Sequence, residues 1–145
     1  MRVQIKVLVA ASCVAAVVLG TSVAFAKPLS EQQWRKQANV FCKQSNVDLT
    51  AISDEALAGL GPNDQPTAAQ AAAFAEQAGP SIEATIASID ALKEPKALKK
   101  DVKKFVVAAR VATTTMQDDP LAALDETLFA PVNKIGKRLG LVCGG

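Results

Sequence analysis

The spacing of the apolar residues is the feature that most constrains this fold. In one segment they recur in steps of four, three, four, three and four residues. An α-helix turns by about 100° per residue, so these steps place the side chains on one narrow stripe. A strand would require strict alternation, which no segment sustains. The pattern therefore predicts an amphipathic helix with one buried face. The stripe consists of Leu98, Val102, Phe105, Ala109, Ala112 and Met116.

Three further segments show helical spacing and begin at recognisable capping residues. A hydroxyl residue three positions before a glutamine forms a capping box, in which each side chain bonds the other residue's backbone N–H. An aspartate followed by a proline is also typical of a helix start. We therefore predict helix starts at three points. These are Ser30 with Gln33, Thr67 with Gln70, and Asp119 with Pro120.

Glycine and proline predict where these helices end or bend. Gly61 lies in the glycine-rich stretch that ends the first helix. Pro80 predicts a kink or a one-residue break in the second helix, and Pro131 predicts a bend in the fourth. Gly140 is suited to the left-handed residue that stops a helix, with Leu141 packing back onto it.

These segments predict one all-α domain over residues 27–145. Four helices with short connections favour an antiparallel up-down-up-down four-helix bundle. About a quarter of these residues are large and apolar, which is enough for one core. The same region contains 14 basic and 14 acidic side chains, so its net charge is zero. Overall charge therefore gives no support for a nucleic-acid partner.

Residues 1–26 have the parts of a cleavable signal peptide. Arg2 and Lys6 give a basic start, and an uncharged, mostly apolar run follows from 7 to 20. Small residues at Ala24 and Ala26 suit a signal peptidase. We expect cleavage after Ala26 and a secreted, extracellular or cell-envelope protein. The alternative is an uncleaved membrane anchor, since 20 apolar residues could span a bilayer.

Two cysteines remain after residue 26, Cys42 and Cys143. A pair of cysteines in an exported protein is expected to form a disulfide. Free or metal-bound thiolates are the alternative, although two cysteines without histidine rarely complete a zinc site. The predicted topology also returns the end of the fourth helix beside the first. The cysteine pairing and the topology are therefore consistent.

Three short stretches carry a resemblance to known proteins, and they are Trp34–Cys42, Ile89–Pro95 and Arg138–Gly144. Together they resemble a group of small exported, alanine-rich helical proteins of high-GC Gram-positive bacteria. Trp34–Cys42 matches their aromatic start with Ala-Asn-x-x-Cys, and Arg138–Gly144 matches their Leu-Gly-Leu-x-x-Cys end. The stretch Ile89–Pro95 is also similar. The resemblance implies a disulfide-linked helical bundle, and it supplies no catalytic residues.

The absence of histidine and tyrosine excludes several classes of function. Histidine is the usual general base near neutral pH and the commonest metal ligand, so His-based triads, His-bearing zinc sites and His-ligated haem are excluded. Adjacent carboxylates such as Asp118 and Asp119 are explained by helix capping. We therefore expect no enzyme activity, no cofactor and no metal.

A lysine-rich segment between residues 93 and 104 contains six lysines and two acids. Most of these lysines fall on the side of the third helix opposite its apolar stripe. The simplest interpretation is the solvated side of an amphipathic helix. The functional interpretation is a surface for an anionic lipid, an anionic polymer or an envelope protein. This lysine face consists of Lys96, Lys99, Lys100, Lys103 and Lys104.

Three functions are consistent with these observations. The leading hypothesis is a non-enzymatic binding or structural role in the cell envelope. The second is a carrier of an apolar, lipid-like ligand, because the alanine-rich stretch 68–78 and Pro80 could open a groove between helices. The third is an envelope adhesin or regulator that uses the lysine face. Trp34 is predicted to lie in the core or at its rim rather than in a ligand pocket.

Overall fold

The computed structural model describes residues 27–61, 64–125 and 127–143. Within these ranges the chain forms four α-helices and one short 3-10 helix, and no strand. The predicted all-α class is therefore confirmed. The predicted signal peptide, residues 1–26, lies outside the described residues. The helices are α1 (Glu31–Ala56), α2 (Ala68–Asp90), α3 (Lys99–Asp118), η1 (Pro120–Leu124) and α4 (Ala130–Leu139).

Both predicted capping boxes are present. The Ser30 hydroxyl accepts from the Gln33 N–H at 3.2 Å, and the Ser30 N–H donates to the Gln33 side chain at 3.1 Å. Thr67 and Gln70 make the same pair of bonds at 3.2 and 3.0 Å. Each box satisfies N–H groups that a helix start leaves without partners. Local sequence therefore fixes where α1 and α2 begin.

The sequence predicts one of two outcomes at Pro80, a kink or a one-residue break. Helix α2 continues through Pro80, so the break does not form. Pro80 has no N–H to donate to the carbonyl of the preceding turn, which weakens the helix locally. Packing on both sides offsets that loss. Ala78 and Gly79 are buried before the proline, and Ile86 and Ile89 are buried after it.

The fourth helical segment is divided, which corrects the prediction of one helix bent at Pro131. The 3-10 helix η1 ends at Leu124, and α4 begins at Ala130 with Pro131 in its first turn. Between them the Asp125 carboxylate accepts from the N–H and the hydroxyl of Thr127 at 2.8 and 2.7 Å. Such side-chain bonds compete with helical ones, and a proline is tolerated in a first turn. Pro131 therefore starts a helix instead of bending one.

Helix α4 ends as predicted. Gly140 adopts the left-handed conformation with φ of 74°, and the Leu141 N–H donates to the Gly136 carbonyl at 2.9 Å. This bond is that of a Schellman motif. Leu141 is buried against the core.

Contacts with α1 hold the residues that follow α4. The Arg35 guanidinium donates to the Leu139 carbonyl at 2.9 Å. The Asn39 amide donates to the Gly140 carbonyl and accepts from the Val142 N–H, both at 2.9 Å. Three residues further along α1, Cys42 forms the predicted disulfide with Cys143, with their Cα atoms 4.5 Å apart.

The core is built from successive helix pairs. Helix α1 packs on α2, α2 on α3, and α3 on α4, while η1 contacts α2 and α3. Every member of the stripe predicted in the third segment is buried. Trp34 and Ala38 contribute fully buried side chains from α1. None of the helices in the described ranges combines the length and the apolar character that a membrane span requires.

Candidate functional site

The buried residues form two clusters, and a cavity of about 320 Å³ is lined by members of both. Phe105 and Val132 belong to the larger cluster, and Met116 belongs to the smaller one. Ala109 and Ala123 also line the cavity, where larger residues would occupy its volume. The apolar lining comprises Leu49, Phe74, Ile82, Ile86, Ile89, Phe105, Ala109, Met116, Ala123, Phe129 and Val132.

The size and lining of this cavity are those of a small-molecule site. Ligand sites in proteins range from about 300 to 1,000 Å³ and are predominantly apolar. An engineered cavity of about 150 Å³ already accommodates benzene. The cavity here has about twice that volume, so it has room for roughly ten to thirteen carbon atoms at ~25–30 Å³ each.

Four residues with polar side chains line the cavity, and none of the lining residues is charged. Thr85 donates its hydroxyl to the Ser81 carbonyl at 3.1 Å, and Asn46 donates to the Val142 carbonyl at 2.9 Å. Within the described ranges, the side chains of the other two form no hydrogen bond. These two are Ser45 and Asn133.

The disulfide forms part of the cavity wall. Cys143 is half-buried and lines the cavity, while Cys42 is fully buried in α1. Asn46 lies one turn after Cys42 and bonds the backbone just before Cys143. The segment after α4 is therefore held against one side of the site by a covalent bond and by side-chain hydrogen bonds.

The lysine face is exposed along its whole length. Within the described residues none of its lysines forms an ion pair, whereas Arg110 on the same helix pairs with Glu83 and Asp90. Two valines, Val107 and Val111, continue this side of α3 and are 63% and 62% exposed. The exposed side of α3 therefore combines positive charge with apolar surface.

The acidic residues act in local structure. Asp119 accepts from the Leu121 N–H at 3.1 Å at the start of η1. Bonds from the side chain and the backbone of Thr127 lower the pKa of the Asp125 carboxyl, and desolvation opposes them weakly. No group of three or more His, Cys, Asp or Glu side chains in the described part of the chain could hold a metal ion.

Trp34 lies in the core and does not line the cavity. It is fully buried, and its indole N–H has no hydrogen-bond partner among the described residues. This agrees with the interpretation of Trp34 as a core residue.

Sequence reasoning did not single out the polar residues of the cavity. Ser45 continues the helical spacing of Trp34, Ala38 and Phe41 in α1, so the sequence places it on the buried face. A hydroxyl at a core position of a helical stripe is a usable signal, because buried polar groups normally have partners. Asn133 follows Val132 in α4 and gives no comparable signal, since its exposure depends on how α4 packs.

The chain matches no protein-family model, no curated protein and no solved structure.

Proposed function

We propose that this protein is a non-enzymatic carrier that holds an apolar ligand in the cavity between its helices. The observation that carries the proposal is about 320 Å³ of volume lined by apolar side chains and by no charged one. An apolar ligand that fills the cavity removes its own apolar surface and that of the wall from water. This favours binding by about 25 cal/mol per Å² of apolar surface buried.

The proposed setting is the cell envelope or the extracellular space. The three-part pattern of residues 1–26 supports export with cleavage after Ala26, and the pairing of Cys42 with Cys143 is consistent with an oxidising compartment. Retention of residues 1–26 would instead tether the carrier to the membrane. The packing of each helix on the next supports an antiparallel up-down-up-down bundle over 27–145.

Native mass spectrometry of the protein purified from its own host tests the proposal. We expect a population of molecules with an added mass that extraction with organic solvent removes. The extracted compound should restore the added mass when it is mixed with the stripped protein. Protein that carries no added mass and takes up none from a total lipid extract would contradict the carrier function and favour a structural role.

Substitutions that fill the cavity test whether the ligand binds there. Ala109→Leu and Ala123→Leu each add a branched side chain to the wall. Either variant that stays folded should lose most of the bound ligand. Ala87→Leu is the matched control, because Ala87 is exposed on α2 and does not line the cavity. Normal ligand content in a folded cavity variant would place the ligand elsewhere.

The lysine face supports a second candidate function, attachment to an anionic membrane. Unpaired lysines attract anionic headgroups, by about 1 kcal/mol each near the surface. Val107 and Val111 would add apolar contact with the interface. A carrier that docks in this way could exchange its ligand with the bilayer.

Binding to vesicles of phosphatidylglycerol and phosphatidylcholine tests this second candidate. We expect binding that rises with the phosphatidylglycerol fraction and falls as salt is added, because exposed charges are screened. Lys100→Glu combined with Lys103→Glu should abolish it, whereas Lys27→Glu, outside the lysine face, should have little effect. Binding that is insensitive to salt would contradict the electrostatic mechanism.

A further inference from the structure

We infer that the ligand is a neutral amphiphile, an apolar chain or ring system with an uncharged hydrogen-bonding group such as a hydroxyl, ester or ketone, which bonds the Ser45 hydroxyl. This inference rests on the proposed carrier function and specifies the chemical class of its ligand. The Asn133 amide provides a further donor and acceptor on the cavity wall.

Ser45 is a largely buried residue that lines the cavity, and its hydroxyl has no protein partner among the described residues. Ser45 is 6% exposed, and its side chain forms no hydrogen bond within the described residues. Other helical hydroxyls in this fold bond the carbonyl four residues earlier. Thr113 bonds Ala109 at 2.9 Å, and Thr85 bonds Ser81 at 3.1 Å. A ligand in the cavity would cover the Ser45 hydroxyl, and covering a polar group without bonding it is costly. A ligand that offers its own hydrogen-bonding group to Ser45 avoids that cost.

Asn133 is the second polar position without a side-chain partner in the described ranges. It lies on α4 next to the buried Val132, and it is half-buried. Its amide can donate and accept, as can a serine hydroxyl. Two such groups in an otherwise apolar wall resemble the few polar groups that orient ligands in small-molecule sites.

The absence of charge in the wall selects against an ionised ligand head. No lysine or arginine lines the cavity, so a carboxylate or phosphate inside it would lose its hydration without gaining a cation. Transfer of an unpaired ion into an apolar site is strongly unfavourable. An uncharged hydroxyl or ester loses far less and recovers a hydrogen bond from Ser45.

Three ten-carbon probes of matched shape distinguish an apolar ligand, a neutral polar ligand and an ionised ligand. Their binding is measured by calorimetric titration of the purified, disulfide-bonded protein. They are n-butylbenzene, 4-phenylbutan-1-ol and 4-phenylbutanoate. We expect saturable binding of butylbenzene and phenylbutanol, and no saturation by the ionised phenylbutanoate in the same concentration range at pH 7.

The decisive comparison uses Ser45→Ala. A net hydrogen bond contributes about 0.5–1.5 kcal/mol, so this variant should bind phenylbutanol roughly 2-fold to 12-fold more weakly. Its affinity for butylbenzene should be unchanged or higher. Asn133→Ala tests the second position in the same way. Ser53→Ala is the matched control, since Ser53 lies on α1 outside the cavity lining.

The possible results have different meanings. If none of the three probes binds, the proposed carrier function fails. A second result is that butylbenzene binds while neither Ser45→Ala nor Asn133→Ala lowers the affinity for phenylbutanol more than the affinity for butylbenzene. In that case the cavity binds apolar ligands, and the inferred polar head is wrong. Binding of phenylbutanoate as tight as that of phenylbutanol would overturn the inference that the ligand is neutral.

Discussion

Several polar side chains in the described part of this fold bond the backbone close to them. Ser30 and Thr67 cap helices, Asp125 holds the turn before α4, and Thr113 bonds its own helix. Ser45 differs from these residues, because it is largely buried at the cavity wall and its side chain bonds nothing among the described residues. At the scale of single residues, the candidate site is therefore marked by a hydroxyl that is left available to a ligand.

The turn at Asp125 makes a prediction about pH. Hydrogen bonds from Thr127 lower the pKa of Asp125 below its ordinary value of 3.8. The turn is therefore stabilised by the ionised carboxylate above that value, and the stabilisation is lost as the pH falls through the lower, folded-state pKa. Thr127→Val removes the hydroxyl bond, so the pKa of Asp125 should rise towards its ordinary value.

Carbon-detected NMR titration of the Asp125 carboxyl checks this prediction. Thr115→Val is the control, because the Thr115 hydroxyl bonds the Val111 carbonyl and no carboxylate. An unchanged Asp125 titration in Thr127→Val would show that the hydroxyl bond does not form in solution.

At the scale of helices, the ends are determined by short-range chemistry, and the interruptions depend on packing. The caps at Ser30 and Thr67 and the stop at Gly140 form where the sequence predicts them. The predicted break at Pro80 and the predicted bend at Pro131 do not form. Pro80 lies inside a continuous helix between buried residues, while Pro131 occupies a first turn. A proline therefore marks a weak point, and the surrounding contacts decide whether the helix ends there.

Replacing Gly136 or Gly140, near the end of α4, with alanine should change the stability of the protein in opposite directions. Gly136 is inside the helix, and a Cβ there would meet the Phe105 ring at 3.5 Å, an ordinary contact. Gly136→Ala should stabilise the protein by about 0.5–1 kcal/mol through helix propensity. Gly140 has φ of 74°, and a Cβ there would lie 3.3 Å from the Arg35 side chain. Gly140→Ala should cost about 1–2 kcal/mol.

Urea unfolding followed by the fluorescence of Trp34, the single tryptophan, measures both effects. The two variants serve as controls for each other, because they lie four residues apart in the same region. A stabilising Gly140→Ala would contradict the left-handed stop at the end of α4.

At the scale of the whole molecule, the disulfide links the two ends of the described fold. The cysteines are 101 residues apart, and the bond joins α1 to the segment that follows α4. It also lies at the cavity wall through Cys143. The same bond therefore restrains the unfolded chain and positions one side of the site.

Removal of the disulfide by Cys42→Ala with Cys143→Ala should cost stability. In the loop-entropy model, a closed loop of about 100 residues is worth ~4–5 kcal/mol. The bonds of Asn39 to Gly140 and Val142 remain in the variant, so the helices should still form. Circular dichroism should show retained helix content, and urea unfolding should show the loss. Chemically reduced protein is the control. A loss below ~1 kcal/mol would contradict the loop-entropy account.

The sequence by itself determined the helical class, the capped starts of α1, α2 and η1, the stop at Gly140 and the pairing of Cys42 with Cys143. These features depend on residues three or four positions apart, or on the count of cysteines, so they can be derived without knowing how the helices pack. The lysine face is also visible in the sequence, although its role is still a proposal.

Only the tertiary structure decided that α2 continues through Pro80, that α4 begins near Pro131, and that the helices leave a cavity between them. The alanine-rich start of α2 suggested an opening, but its volume depends on side chains from every helix together. Leu49, Phe74, Phe105 and Val132 come from four different helices and meet only after packing. Whether such side chains fill the space between the helices depends on the combined volume of residues that are far apart in the sequence. Local periodicity contains no information about that combined volume.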